Sequence, residues 1–297
     1  MGILRLNDRV FGPGAILGEK YGRPPYGENI TRIEVHHLLE HTAGWGRPPG
    51  TFDTYVKLPD EEFIDRFITD FPPTGAPDTF WRYSNFNYRL MQEVVETVTN
   101  LPFNLVMEEL VFKPCGMKMG VERSEWDKRH PNSVNFYSTI IPVTDTYSFP
   151  RYTHNWPAGL WTTTAVDLLK FLVRIDGNNN NYRDFISQRS RREMLTPGPA
   201  GYNGALFNGS YAKGFFVGWP SSQIEGNLTV GNVPYPGYGH AGGYAGLGFL
   251  WQSSEGYQMS CMTSTTSVGP FECITLTKKI EERLGNQWPR HDLFRFE

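Results

Sequence analysis

The sequence predicts an α+β fold in one domain covering residues 1–297. Three observations carry that expectation. Apolar residues recur at helical spacing through most of residues 30–200, the mainly helical part. From residue 201 the pattern turns Gly- and aromatic-rich, with turn signals between short runs, and the chain then closes on one amphipathic helix, so 201–297 holds the strands and that helix. Helices first, then a meander, then a helix is segregation rather than βαβ alternation.

Taken in order, the first thirty residues read as loop, broken by Gly12-Pro13-Gly14, Gly18, Gly22 and Pro24-Pro25. Ile33–His41 is a predicted helix, with Val35, Leu38 and Leu39 on one face and Gly44 as its stop. A second helix follows Pro59, its first turn acidic (Asp60, Glu61, Glu62) and its stripe Phe63, Phe67 and Ile68. Asn87–Thr99 carries Leu90, Met91, Val94, Val95 and Val98 at helical spacing, and Phe103–Phe112 is expected to halt at Pro114. Ala165–Ile175 is capped by Thr163 or Thr164 and ended by Gly177; Asp184–Leu195 is a further helix. Residues 209–219, 239–252 and 256–265 read as antiparallel strands, and Phe271–Leu284 is the closing helix.

Composition narrows the function classes. Hydrophobic residues make up 39%, aromatics 14% and charged residues 20%, which supports a packed core and excludes intrinsic disorder. A net charge of −3 argues against a nucleic-acid partner. No apolar run reaches the ~20 residues of a membrane-spanning helix, and the start, Met1 to Arg9, has no secretory apolar region, so the chain reads as soluble with its compartment unassigned. Cys115, Cys261 and Cys273 form no disulfide framework, and each is expected to be a small buried hydrophobe rather than a bridged thiol.

Two motifs invite chemical readings. His37-Leu38-Leu39-Glu40-His41 has the H-x-x-E-H form of inverted zinc peptidases, with both histidines on one helix face, but no third ligand is identified. Local hydrogen bonding is the plainer reading, and no metal is assigned. Ser210-Tyr211-Ala212-Lys213 is the sequence's one Ser-x-x-Lys match. That pair works on a helix, where the lysine one turn on can take the serine proton; on a strand the two point to opposite faces. No G-x-S-x-G elbow occurs.

Five further blocks belong together. They are Ile33 to Gly44 (IEVHHLLEHTAG), Tyr83-Ser84-Asn85, Phe112 to Met117 (FKPCGM), Pro157 to Leu168 (PAGLWTTTAVDL) and His240-Ala241-Gly242-Gly243. In this order they resemble the serine β-lactamase and penicillin-binding-protein-like superfamily, closest to the class C β-lactamase-related branch with its esterases and D-amino-acid peptidases. The resemblance runs from about residue 3 to about residue 284. It implies a β-lactamase-like α+β fold: a helical subdomain plus a partial antiparallel sheet with a C-terminal helix. It also implies no cofactor and a small ester, amide or peptide as ligand.

By the same resemblance, Tyr83 relays a proton if cations lower its pKa, Asn85 orients the substrate carbonyl, and His240 offers a donor or partial charge at the leaving side. The Gly243 N–H is half of an oxyanion hole. Ser84, Trp161, Ala241 and Gly242 line the cleft. The family's nucleophilic Ser-x-x-Lys would precede the segment that Gly2 to Val10 resembles. The expectation is therefore a chain lacking its N-terminal strands and attacking serine, with an intact parent that hydrolyses esters or amides. The alternatives are a non-catalytic binding or scaffold protein and, less favoured, a zinc peptidase through His37 and His41. Lost strands would leave an exposed sheet edge near residues 257–265, through which the chain could associate.

Overall fold

A computed structural model describes residues 2–46, 58–118, 120–121, 132–134, 158–159, 161–178, 181–200, 210–219, 237–243, 247–252, 258–263, 270–285 and 287. Pro157 and Leu160 of the fourth block, and residues 209, 256–257 and 264–265 at the ends of expected strands, lie outside these.

The helical part is built from α1 (Glu28–Thr31), α2 (Val35–Leu39), α3 (Asp60–Asp70), α4 (Asn85–Thr99), α5 (Phe103–Met107) and α6 (Lys113–Cys115). One core joins the first four: Val10, Phe11, Ile33, Leu38, Phe63, Ile64, Phe86 and Leu90 are fully buried, and Phe67 stacks on Phe86 with ring centroids 3.8 Å apart. The expected stripes of α3 and α4 are the ones that point inward. The loop-like start docks on this core through the buried Val10 and Phe11, with Arg9 bridged to Glu34. Buried Arg89 is matched within its own helix by Glu93 at 2.9 Å, one turn on.

Three helical expectations are corrected. The Ile33–His41 helix is trimmed to Val35–Leu39. Its start is fixed by the Glu34 N–H donating to His37 Nδ1 at 2.8 Å, a side-chain acceptor for an otherwise orphaned amide. The helix expected to stop at Pro114 instead widens into a π-helical turn over Glu108–Phe112 and runs on through α6, where Pro114 sits in a first turn that needs no N–H from it, ending at left-handed Gly116. The Asp184–Leu195 helix begins only at Gln188, where Ser187 accepts the Ser190 N–H at 3.0 Å. That helix is α8 (Gln188–Leu195). Its predecessor α7 (Ala165–Val173) starts as expected, with Thr164 Oγ1 accepting the Asp167 N–H.

A two-stranded ribbon pairs β1 (Gly120–Val121) with β2 (Trp161–Thr162). The main sheet is antiparallel throughout, in the order β3-β4-β5-β6-β7. Its strands are β3 (Ser210–Tyr211), β4 (Phe216–Trp219), β5 (Gly237–Gly243), β6 (Leu247–Gln252) and β7 (Gln258–Thr263). Two of the expected strands are therefore hairpins: 209–219 holds β3 and β4, and 239–252 holds β5 and β6. Cross-strand register sorts the faces. Tyr238 and Leu250 share the face covered by Leu172 of α7 and Ile175 just after it, whereas Trp251, Phe249 and Met259 share the face covered by α9 (Pro270–Leu284) through Cys273 and Ile274.

Close packing dictates glycine at Gly239, where a Cβ would come within 2.4 Å of the Leu250 carbonyl oxygen. Among the described residues β7 ends the sheet and pairs with β6 alone, as expected for an edge. On α9, Leu276 and Ile280 are exposed. The cysteine expectation is half right. Cys115 is free and buried, but Cys261 on β7 and Cys273 on α9 form a disulfide, because the packing of helix on strand brings their Cα atoms to 6.4 Å. Among the described residues no helix is long and apolar enough to cross a membrane.

Candidate active site

The site grows out of the way α2 ends. After Leu39 the chain continues through Glu40 and turns at His41, whose φ of +61° is left-handed, a costly conformation for a residue with a Cβ. That turn drives the His41 ring under residues 81–84. The His41 carbonyl accepts the Arg82 N–H at 2.9 Å, and its Nδ1 accepts the Ser84 N–H at 3.2 Å and the Asn87 amide at 3.4 Å. An Nδ1 that accepts carries no hydrogen, so the neutral ring holds its proton on Nε2, which is buried without a partner.

Tyr83 lies over this ring, centroid to centroid 4.3 Å, and α4 starts two residues later. From the sheet, β5 delivers His240 at the middle of the strand order, with its ring 6.2 Å from that of Tyr83. Tyr211, at the end of β3, fills the space between: its ring is 4.9 Å from His41, and its hydroxyl is 3.3 Å from His240 Nε2. Trp81 closes the group 5.8 Å from Tyr211.

The pocket is aromatic and uncharged. Burial pushes His41 down to about 3, with the neighbouring His240 adding to the effect. Burial also lowers His240, against a backbone contact with Ala241 that favours the charged ring. Tyr83 is raised by burial, so the sequence expectation that cations would lower its pKa is corrected. The nearby ammonium is committed elsewhere: Lys213 Nζ lies 2.7 Å from Glu40, both side chains buried. That pairing also removes Ser210-Tyr211-Ala212-Lys213 as a nucleophile motif, because Ser210 lies on a strand and its lysine is tied to a carboxylate.

Of the residues expected in the site, Tyr83 and His240 come together although 157 positions separate them. Asn85 is the first residue of α4, and the Ser84 backbone holds His41. Gly242 and Gly243 are exposed at the end of β5, and a Cβ on Gly242 would meet nothing within 4 Å, leaving that strand end open to a ligand. Ala241 follows His240 on β5. It pairs with Phe249 and packs on the cluster that holds Tyr211 and Trp81 of the pocket as well as the residues beneath α9. Trp161 stands on the β1-β2 ribbon, edge-on to Phe112 with centroids 5.0 Å apart.

The residues that sequence reasoning missed are His41 in this role, Trp81, Tyr211 and Tyr88, whose ring lies 5.2 Å from that of His41. Their only signal was aromatic crowding around Tyr83 and inside a motif set aside as coincidence.

The zinc pair His37 and His41 is not what the fold assembles. Among the described residues, the group whose candidate ligand atoms lie within 4.8 Å of one another is His36, His37 and Asp78. His37 Nδ1 accepts the Glu34 N–H, so Nε2 bears the hydrogen and donates to Asp78 at 3.2 Å, which leaves no lone pair on this ring for a metal. The cluster is a hydrogen-bond network at the start of α2.

Comparison with known proteins agrees with this architecture. The chain is 26% identical over 212 residues to the putative penicillin-binding protein PbpX of Bacillus subtilis (strain 168), covering 70% of this chain and 49% of that protein. It is 22% identical over 276 residues to the esterase EstB of Burkholderia gladioli, covering 82% of this chain and 68% of EstB. It thus spans about half the length of PbpX. Among solved structures, a D-stereospecific amidohydrolase from Streptomyces sp. superposes with a TM-score of 0.65 at 20% identity, over 94% of this chain and 79% of that one, a likeness of fold. The family described as Beta-lactamase matches residues 1–275, nearly the whole of the sequence, and this chain belongs to it.

Proposed function

We propose that this chain carries the walls of an acyl-transfer pocket for a small ester, amide or peptide, and that these 297 residues bind such a ligand without forming an acyl-enzyme. One observation supports the pocket above the rest: Tyr83 from the helical part and His240 from the central strand meet with ring centroids 6.2 Å apart. In the reading proposed, Asn85 orients the ligand carbonyl, and the Gly243 N–H at the open end of β5 polarises its oxygen. The ring of His240 faces the leaving side. Covalent catalysis by the family route needs an activated hydroxyl. The one Ser-x-x-Lys in the sequence has its lysine bound to Glu40, which supports binding without turnover.

The name of one similar protein, an esterase, supports an ester as the acyl compound to try first. The ammonium near the pocket, on Lys213, is paired with Glu40, which supports an uncharged acyl group there. The test is incubation with a fluorophosphonate and with a penicillin, read by intact mass, beside a thermal-shift titration with neutral aryl esters. Expected are no adduct and a saturable rise in Tm that His240→Ala abolishes. A stoichiometric adduct would refute the non-catalytic half of the proposal. No Tm shift with any acyl compound would refute the pocket.

A further inference from the structure

The closing helix is fastened to the sheet along one side and presents a patterned stripe on the other. Cys273 and Ile274 are buried, Cys273 is bridged to Cys261 of β7, and the Thr277 hydroxyl donates to Met259 Sδ at 2.8 Å. These ties stop α9 from turning to hide what it leaves outside. At about 100° per residue, Glu272, Leu276, Ile280 and Arg283 fall within about 80° of one another along the helix. All four are exposed, Leu276 at 59% and Ile280 at 39%. The stripe reads acid, apolar, apolar, base, with Glu272 in the first turn and Arg283 in the last.

That order complements itself when reversed. Two copies of α9 laid antiparallel, with a two-fold axis midway between Leu276 and Ile280, set Leu276 of each against Ile280 of the other. Glu272 of each then comes beside Arg283 of the other, and the helix dipoles oppose. A parallel copy would set acid against acid and base against base. A net charge of −3 puts little repulsion between two copies of the chain.

We infer that this stripe is a homodimer surface, on which a second copy of this chain docks its own α9 antiparallel through Leu276 and Ile280, with Glu272–Arg283 pairs at both ends. The edge of the sheet is the weaker candidate for association. There β7 exposes one large apolar side chain, Met262, and carries no charge to choose a partner. The bridge to β7 holds the stripe ready, so little ordering is lost on docking. One pair of helices covers less than the roughly 1,600 Å² of a standard interface, which makes the dimer a weak one. The surface does not depend on the pocket proposed above.

Sedimentation velocity on the full chain, over a rising series of protein concentrations at low and high salt, tests the inference. The sedimentation coefficient is expected to climb toward that of a dimer, and to climb less at high salt. Leu276→Lys, which alters a solvent-facing position, is expected to keep the native Tm and remain monomeric throughout. Glu272→Arg sets like charges together at both ends and is expected to weaken the dimer about tenfold. Adding Arg283→Glu re-forms both pairs with their signs exchanged, so the double variant should associate like wild type. A wild-type chain monomeric at every concentration would overturn the inference, leaving the stripe to a different protein or to another segment of the polypeptide. A dimer that Leu276→Lys leaves intact would overturn it too, by placing the contact elsewhere. Failure of the double variant to recover would refute the antiparallel pairing.

Discussion

Lys213→Met breaks the ion pair that ties the corner between β3 and β4 to the end of α2. In the native protein the Glu40 side chain is 3% exposed and that of Lys213 9%, with nitrogen and oxygen 2.7 Å apart. At an effective dielectric of about 20 their attraction is about 6 kcal/mol, and desolvation of the two ions offsets part of it. Removing only the lysine is worse than removing both, because Glu40 keeps its desolvation cost and retains one weak partner, His36 Nδ1 at 3.5 Å. The expected loss is about 3–5 kcal/mol for Lys213→Met and clearly less for the double variant Glu40→Gln/Lys213→Met.

His36 makes the loss depend on pH. Its folded pKa is raised, Glu40 being the first cause, so its contribution is full below the unfolded value of about 6.5 and fades as pH rises through the folded value. Lys213→Met should therefore be more damaging at pH 8.5 than at pH 6. Urea denaturation at both pH values, with the double-mutant cycle, measures all of this. A single-variant loss under ~1 kcal/mol, of the size found for exposed pairs, would refute the argument.

Other expectations follow from the same structure. Buried His41, with its pKa pushed to about 3, leaves stability intact above about pH 6.5. As pH falls, the unfolded chain binds a proton that the folded one refuses, at a cost of about 2 kcal/mol by pH 5. His41→Asn should flatten that part of the acid limb of a stability–pH curve, and an unchanged curve would contradict the assignment. Gly239→Ala, whose Cβ would meet the Leu250 carbonyl oxygen at 2.4 Å, should separate β5 from β6 and cost several kcal/mol, whereas Gly242→Ala, with open space around it, should melt like wild type. Thiol titration of the denatured, unreduced chain should find one group, Cys115, and a count of three would deny the Cys261–Cys273 bridge.

The long helices were legible because their apolar stripes are regular: α3, α4 and α7 follow the sequence pattern closely, and α9 begins at Pro270, a position where a first turn needs no N–H. What escaped was set by contacts distant in sequence. The helix at α2 is short because His37 caps its own start and His41 turns left-handed to reach Ser84 and Asn87. Nothing local announces that turn. Tyr211 looked like a strand residue beside an accidental lysine, and its importance exists only once β5 stands next to it. Tyr83 and His240 were found through the order of short blocks along the chain, a signal that carries no distances. It could not tell that Tyr211 stands between them or that Trp161 packs on Phe112.

The short corner that follows β3 has a mechanical consequence. The Tyr211 ring packs 4.9 Å from that of His41, and two residues later Lys213 grips Glu40, so both contacts between sheet and helices come from one short corner. Prising the two walls apart strains both at once, and neither can slacken to relieve the other. The gap above His240 thus has a stiff hinge side, and a bulky guest must be accommodated at the far rim, where Gly242 and Gly243 leave room.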